Sequence, residues 1–241
     1  MKKLFLSTAI LLLVTMQMQS QWFFGATVKG NGIMKKEIRK VGSYDKISVA
    51  GDFNVTLVHG KEGDLNIKIE ENLLKYLITE VNDNKLTIRW KKGENISTRK
   101  GVHIVVPFTD IDEVNLFGSG DVLCDDVIKS AHFKTLLTGS GDIILNIDVK
   151  TVDAKITGSG NIELLGETTD INILVTGSGG VQSYKLDAKN ADAKITGSGD
   201  IGVNVSDNLK AKITGSGDIT YTGNPENQDF KITGSGDIEA K

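Results

Sequence analysis

The stretch AKITGSGDI (Ala193–Ile201) decides the fold, because it comes back. It recurs letter for letter at Ala211–Ile219, and with one change each as AKITGSGNI (Ala154–Ile162) and FKITGSGDI (Phe230–Ile238). Its centre, Gly-Ser-Gly, starts at Gly118, Gly139, Gly158, Gly177, Gly197, Gly215 and Gly234, at intervals of 21, 19, 19, 20, 18 and 19 residues. A fixed period near 19 is the signature of a repeat architecture. Within each copy apolar and polar residues alternate: Ala154 and Ile156 against Lys155 and Thr157, Ala193 and Ile195 against Lys194 and Thr196. Period-two alternation marks strands with one face in and one face out.

A unit this short cannot bury its own apolar face, but stacking on its neighbours does so and pairs the strand edges. The expected fold is therefore all-β, a solenoid of about 19-residue coils spaced ~4.8 Å apart. Two strands are expected per coil, for example Ile143–Ile147 and Val152–Thr157, joined by loops such as Asp148–Thr151 and Thr168–Asp170. The glycines supply sharp corners and close approach. Stacking aligns Ser119, Ser140, Ser159, Ser178, Ser198, Ser216 and Ser235, the threonines from Thr138 to Thr233, and a broken basic row of Lys155, Lys194, Lys212 and Lys231.

Composition agrees. The 241 residues include 27 Gly and only 2 Pro, a balance that favours strands and turns. The formal net charge of −3 gives no electrostatic case for nucleic acid. Residues 1–20 read as a signal peptide: Lys2 and Lys3, then the apolar run Leu4 to Val14, with cleavage expected between Ser20 and Gln21. The run is too short to span a bilayer, so no transmembrane segment is expected in the mature chain. Export places the protein in the periplasm, at the cell surface or outside the cell. The single Cys124 cannot form an internal disulfide and is expected to point inward.

Residues 21–33 form an N-terminal segment, in which Trp22, Phe23 and Phe24 are expected to pack over the first coil. Residues 34–114 read as divergent coils, with less regular strands at Lys46–Val49, Phe53–Val58, Leu65–Ile69, Lys85–Trp90 and Val102–Val106. Glu71–Glu80 hints at a helical turn, Lys91–Lys100 at a surface loop, and Ala50–Phe53 at a worn copy of the later motif. Residues 115–241 carry the glycine repeats.

The order of segments resembles a known family. GNG (Gly30–Gly32) precedes EIRKVGSYDKISVAGDFNVTLVHG (Glu37–Gly60) and IKIEENLLKYLITEVNDNKLTIRW (Ile67–Trp90). VHIVVPFTDIDEVNLFGSGDV (Val102–Val122) and the GSGD repeats follow. This chain is similar to the putative auto-transporter adhesin, head GIN domain family of secreted proteins, common in Bacteroidetes-type bacteria. The resemblance implies a right-handed parallel β-helix and a cell-surface or secreted setting, and it brings no catalytic residues. No autotransporter barrel is expected, since the sequence given stops within a repeat.

Three functional readings follow. The first is a non-catalytic adhesin or envelope scaffold that binds surface glycans or proteins through its long faces, where repeated weak contacts add up. The second is calcium: Asp121, Asp142, Asp200, Asp218 and Asp237 should stack, and a divalent ion relieves like-charge repulsion. Asn161 and Gly180 interrupt that row, and turn-capping aspartates are the simpler expectation. The third is a polysaccharide-active β-helix enzyme. It needs paired carboxylates, and Asp125-Asp126 is the one adjacent pair within the repeats, with no catalytic histidine expected on neighbouring coils. His59, His103 and His132 lack metal-ligand spacing. Finally, the strand edge at Ile238–Lys241 is expected either to pair with another chain or to be blunted by Glu239 and Lys241.

Overall fold

The structure is a computed structural model that describes residues 27–241. The signal segment, its cleavage point and Trp22–Phe24 lie outside the described residues. Strand accounts for 74% and helix for 3%, arranged as a β-solenoid of about 7 turns. In chain order the short strands come first: β1 (Thr27–Lys29), β2 (Met34–Lys40), β3 (Lys46–Ala50), β4 (Phe53–His59) and β5 (Asp64–Glu70). Then follow β6 (Leu77–Asn82), β7 (Lys85–Trp90), β8 (Asn95–Ser97), β9 (Val102–Phe108) and β10 (Glu113–Gly118). The long coils are β11 (Asp121–Gly139), β12 (Asp142–Gly158), β13 (Asn161–Gly177), β14 (Gly180–Gly197) and β15 (Asp200–Gly215). The last turn holds β16 (Ile219–Thr222), β17 (Asn227–Gly234) and β18 (Ile238–Ala240).

Each long coil hides alternate residues. In β12, Ile143, Leu145, Ile147 and Val149 are buried on the way out, and Val152, Ala154 and Ile156 on the way back. The alternation skips one step at Lys150–Thr151, where the chain turns back. The expected loops at Asp148–Thr151 and Thr168–Asp170 are not there: both lie within continuous strands, with Val149 opposite Thr168 and Thr151 opposite Asp170. Polar residues suggest a loop when read along one coil. In a stack, however, the same corner recurs directly above and below, so its backbone still finds parallel partners.

The glycine triplet makes the other corner. Gly158 has φ +131° and Gly139 +133°, a conformation open to glycine. The Gly139 carbonyl accepts hydrogen bonds from both Ser159 N (2.9 Å) and Gly160 N (3.1 Å) of the next coil. Two successive N–H groups can reach one oxygen only if the coils approach closely there. From Gly139 onward, a methyl on either glycine of a triplet would overlap the carbonyl of the equivalent glycine one coil back.

The N-terminal half is not stacked in sequence order. The coil made by β3 and β4 lies between β10/β11 on one side and β7/β9 on the other, all parallel. Gly51 takes the place of the first motif glycine, its N–H bonded to Phe117 O at 2.8 Å and its carbonyl accepting from Gly120 N at 3.3 Å. Phe53 stands where the second glycine would be, fully buried and stacked at 4.8 Å on Trp90. Beyond this coil the pairing turns antiparallel: β5 on β9, β2 on β5, and β6 on β7. These strands close the N-terminal end. The helical hint at Glu71–Glu80 is a 3-10 turn over Glu71–Tyr76, and its second half belongs to β6.

One buried carboxylate ties the cap together. Glu70 is fully buried and accepts N–H groups from Gly32 (2.6 Å) and Arg99 (2.8 Å). Burial by itself would raise its pKa, but backbone donors from Arg99, Gly32 and Lys100, with the Arg99 charge, hold it below the usual carboxylate range. Gly30 passes so near that a side chain there would strike the Glu70 carboxylate. The GNG segment is thus a clasp around one acid.

Candidate binding surface

The aspartate row stacks as expected, in register Asp121–Asp142–Asn161–Gly180–Asp200. Its oxygens already have work within the stack. Asp142 N donates to Asp121 Oδ1 (3.3 Å), Asn161 N to Asp142 Oδ1 (3.2 Å), Asp218 N to Asp200 Oδ1 (3.1 Å) and Asp237 N to Asp218 Oδ1 (2.9 Å). Asp121, Asp142, Asp200 and Asp218 each cap the backbone of the coil that follows. Among the described residues no group of three or more His, Cys, Asp or Glu side chains converges on a point fit for a metal ion.

A similar device runs along the opposite corner. Asn190 Nδ2 donates to Asp170 (2.8 Å), Asn208 to Asn190 (2.5 Å) and Asn227 to Asn208 (2.9 Å). In every one of these rows the later coil donates and the earlier coil accepts.

The carboxylate pair Asp125-Asp126 sits at an irregularity of β11, where the register to β12 slips between Cys124 and Val127. His59 lies beside it on the neighbouring coil: His59 N donates to Asp126 Oδ2 at 2.7 Å, next to a cavity of about 340 Å³ lined also by Asp110 and Lys129. The contact was hidden because β5 to β10 lie between β4 and β11 in the sequence, yet β4 and β11 are adjacent in the stack. The bond uses the His59 main chain, while its ring rests edge-on against Phe108. His132 pairs with Asp153 at 3.0 Å. Cys124 is buried, as expected, and burial together with the Asp126 charge pushes its thiol up to about 12. So little thiolate at neutral pH makes it a poor nucleophile.

A groove of about 790 Å³ runs along the Lys150 corner, crossing five coils from Asp148 to Asn224. Four coil spacings make it ~19 Å long. One wall is the stacked acids Asp148, Glu167 and Asp187, continued by Asn204. The other carries Lys150, Thr169, Lys189 and Ser206, and the buried floor is Val149, Thr168, Ala188 and Val205. Asp148 is paired to Lys129 (3.2 Å) and Asp187 accepts from Asn204 (2.7 Å), whereas no bond to Glu167 or Lys189 side chains is formed among the described residues. This site was not legible in the sequence, because its corner residues differ from coil to coil and carry no motif. Only the register brings them into line.

Comparison with known proteins follows from this geometry. A crystal structure described as a putative adhesin from Bacteroides fragilis superposes with TM-score 0.84 at 22% identity, covering 89% of this chain and 100% of that one. One described as a putative lipid binding protein from Parabacteroides distasonis gives 0.76 at 28% identity, covering 90% and 100%. A putative adhesin from Parabacteroides merdae gives 0.73 at 22%, again covering 90% and 100%. No curated protein matches the chain significantly. The family model for the putative auto-transporter adhesin, head GIN domain, matches residues 43–225. That span takes in the inverted β3/β4 coil as well as the glycine repeats, and the chain belongs to this family.

Proposed function

We propose that this is an exported, non-catalytic surface protein that holds a linear, hydroxyl-rich polymer, a glycan, in the five-coil groove. The observation that carries this is the groove itself, with Asp148, Glu167 and Asp187 on one wall and lysine alternating with a hydroxyl on the other, so that an acid faces a lysine at every second coil, at Asp148/Lys150 and Asp187/Lys189. Sugar hydroxyls donate to carboxylates and accept from ammonium groups. A polymer whose repeat matches two coil spacings, ~9.6 Å, meets the same donors at each step, and such contacts reinforce one another. The family and the adhesins it resembles support a binding role. The apolar run at Leu4 to Val14 supports export, and no helix among the described residues is long and apolar enough to cross a membrane.

A glycan array probed with the wild type and with Glu167→Ala/Lys189→Ala tests the reading. Both side chains are exposed, so the double variant should fold normally. Two lost charge-assisted hydrogen bonds, at ~1.5–3 kcal/mol each, should weaken binding about a hundredfold or more. An array without a single ligand, or one on which the variant binds as well as the wild type, would remove the groove from the account.

We also propose that the aspartate row works without calcium. Its carboxylates cap backbone N–H groups, a role that needs no ion. Adding millimolar calcium should leave the melting temperature unchanged. A saturable rise of several degrees would instead make the row an ion site.

A further inference from the structure

The whole-chain charge of −3 hides a division along the stack. Residues 27–108, which form the β3/β4 coil and the cap, carry 15 Lys and Arg against 10 Asp and Glu, a surplus of five cations. Residues 109–241 carry 11 against 21, a surplus of ten anions. The two stretches are also separate in space, since β3 and β4 are the strands that meet β10 and β11. The solenoid therefore has a basic end and an acidic body.

One row of outward side chains shows the change of sign. In the repeats it runs from Asp142 to Asp121, and then to Asn54 on β4. Continuing into the cap it reads His103 on β9, Lys68 on β5 and Lys36 on β2, each directly opposite the next. All three are exposed. The ion pairs of β2 use Lys35 and Arg39 instead, and neither Lys36 nor Lys68 has a carboxylate partner among the described residues. Like charges set opposite each other repel, and an anionic surface over the row relieves that. Beside the row, the loop after β7 adds Lys91, Lys92, Arg99 and Lys100 against the single acid Glu94. The Arg99 N–H is held by Glu70, two residues along β5 from Lys68, so loop and row form one basic corner.

The neighbouring row is apolar at the same end. Ile38 stands beside Asn66, and Asn66 beside Val105. Ile38 is 65% exposed and Ile33, just before β2, 60%, more than any other large apolar side chain among the described residues.

We propose that this end docks on an anionic lipid surface and that the acidic repeats stand away from it. A soluble polyanion would need only the cations. Isoleucines set among lysines match the boundary of a bilayer, where apolar side chains enter the acyl layer and ammonium groups stay with the phosphates. The same surface repels the ten surplus anions of the body, which decides the end that faces it. The groove lies in the repeats, on the part held clear, and the docking does not depend on it.

Vesicle co-sedimentation tests it, with the chain from Gln21 so that Leu4 to Val14 takes no part. Vesicles of phosphatidylglycerol and phosphatidylethanolamine should bind the protein about tenfold or more tighter than phosphatidylcholine. Raising salt from ~0.05 to ~0.5 M should release it. Lys36→Gln/Lys68→Gln should weaken binding about thirtyfold, about a factor of five for each charge. Its melting temperature should not fall, because the change removes a like-charge opposition, so weaker binding would not be misfolding. Ile38→Asn should weaken binding about tenfold. A lipid-sensitive fluorophore on Ile38→Cys should respond to the vesicles, and one on Ser235→Cys in the last coil should not. Cys124 is buried and stays unlabelled. A wild type that ignores these vesicles, a double variant that binds as well as wild type, or a response at position 235 and not at 38 would each overturn the docking. Equal affinity for dextran sulfate in solution, undiminished by Ile38→Asn, would make a soluble polyanion the occupant and overturn it too.

Discussion

Alanine in place of Gly158 should destabilise the solenoid by roughly 3–5 kcal/mol and lower its melting temperature by about 10 °C. Two independent costs act at this residue. Its φ of +131° lies where side chains with a Cβ are strained, a penalty of ~1–3 kcal/mol. The new methyl would also overlap the Gly139 carbonyl, the oxygen that accepts both Ser159 N and Gly160 N. Moving that oxygen disturbs two bonds between coils, not one. Overpacking of this kind adds ~1–3 kcal/mol.

Neighbouring substitutions dissect the effect. Gly160→Ala meets the Gly141 carbonyl and should cost less than Gly158→Ala, since no left-handed strain is added. Ser159→Ala, at an exposed side chain, should fall within about 0.5 kcal/mol of wild type. Gly234→Ala should be milder than Gly158→Ala, because a stack can fray its last coil while the rest stays folded. Urea denaturation of the four variants gives the order directly. If Gly158→Ala melts within ~2 °C of wild type, the close-packed corner is not what holds the coils at their spacing.

Glu70→Ala is the second large loss, about 1–3 kcal/mol, concentrated in the cap. The carboxylate is fully buried and receives backbone N–H groups from two separate segments, at Gly32 and at Arg99. Removing it leaves those part-buried donors without their acceptor. Glu70→Gln keeps the shape but turns half of the acceptor into an NH₂ donor facing other donors, so it should recover only part of the loss. The same group makes the cap acid-sensitive. Its folded pKa is held below the unfolded value, so its contribution is fully present above the ordinary carboxylate range and is lost as pH falls through the lowered folded value. Hydrogen exchange at Gly32, Arg99 and Lys100 should therefore accelerate in acid in the wild type more than in the repeats. In Glu70→Gln it should be fast at every pH. Equal protection of those amides in wild type and Glu70→Gln would show that the clasp does not depend on the charge.

Much of the fold was readable along the chain because each coil is a local pattern repeated. Alternation at Ala154–Thr157 identifies inward and outward residues without knowledge of any partner, and every one of the five strands expected before residue 110 is present. The repeats also determined which residues share a row, since stacking at a constant period places Asp121 beside Asp142 and Thr157 beside Thr176. What lay beyond reach depended on contacts between segments of unlike sequence. The inverted order of β3/β4 and β7/β9, the antiparallel cap, and the meeting of His59 with Asp126 join stretches that share no period. The groove belongs with these: its walls come from corners whose residues differ from coil to coil. Periodicity is a property of the chain itself and survives in one dimension, whereas a neighbour across an irregular corner exists only after the backbone has closed on itself.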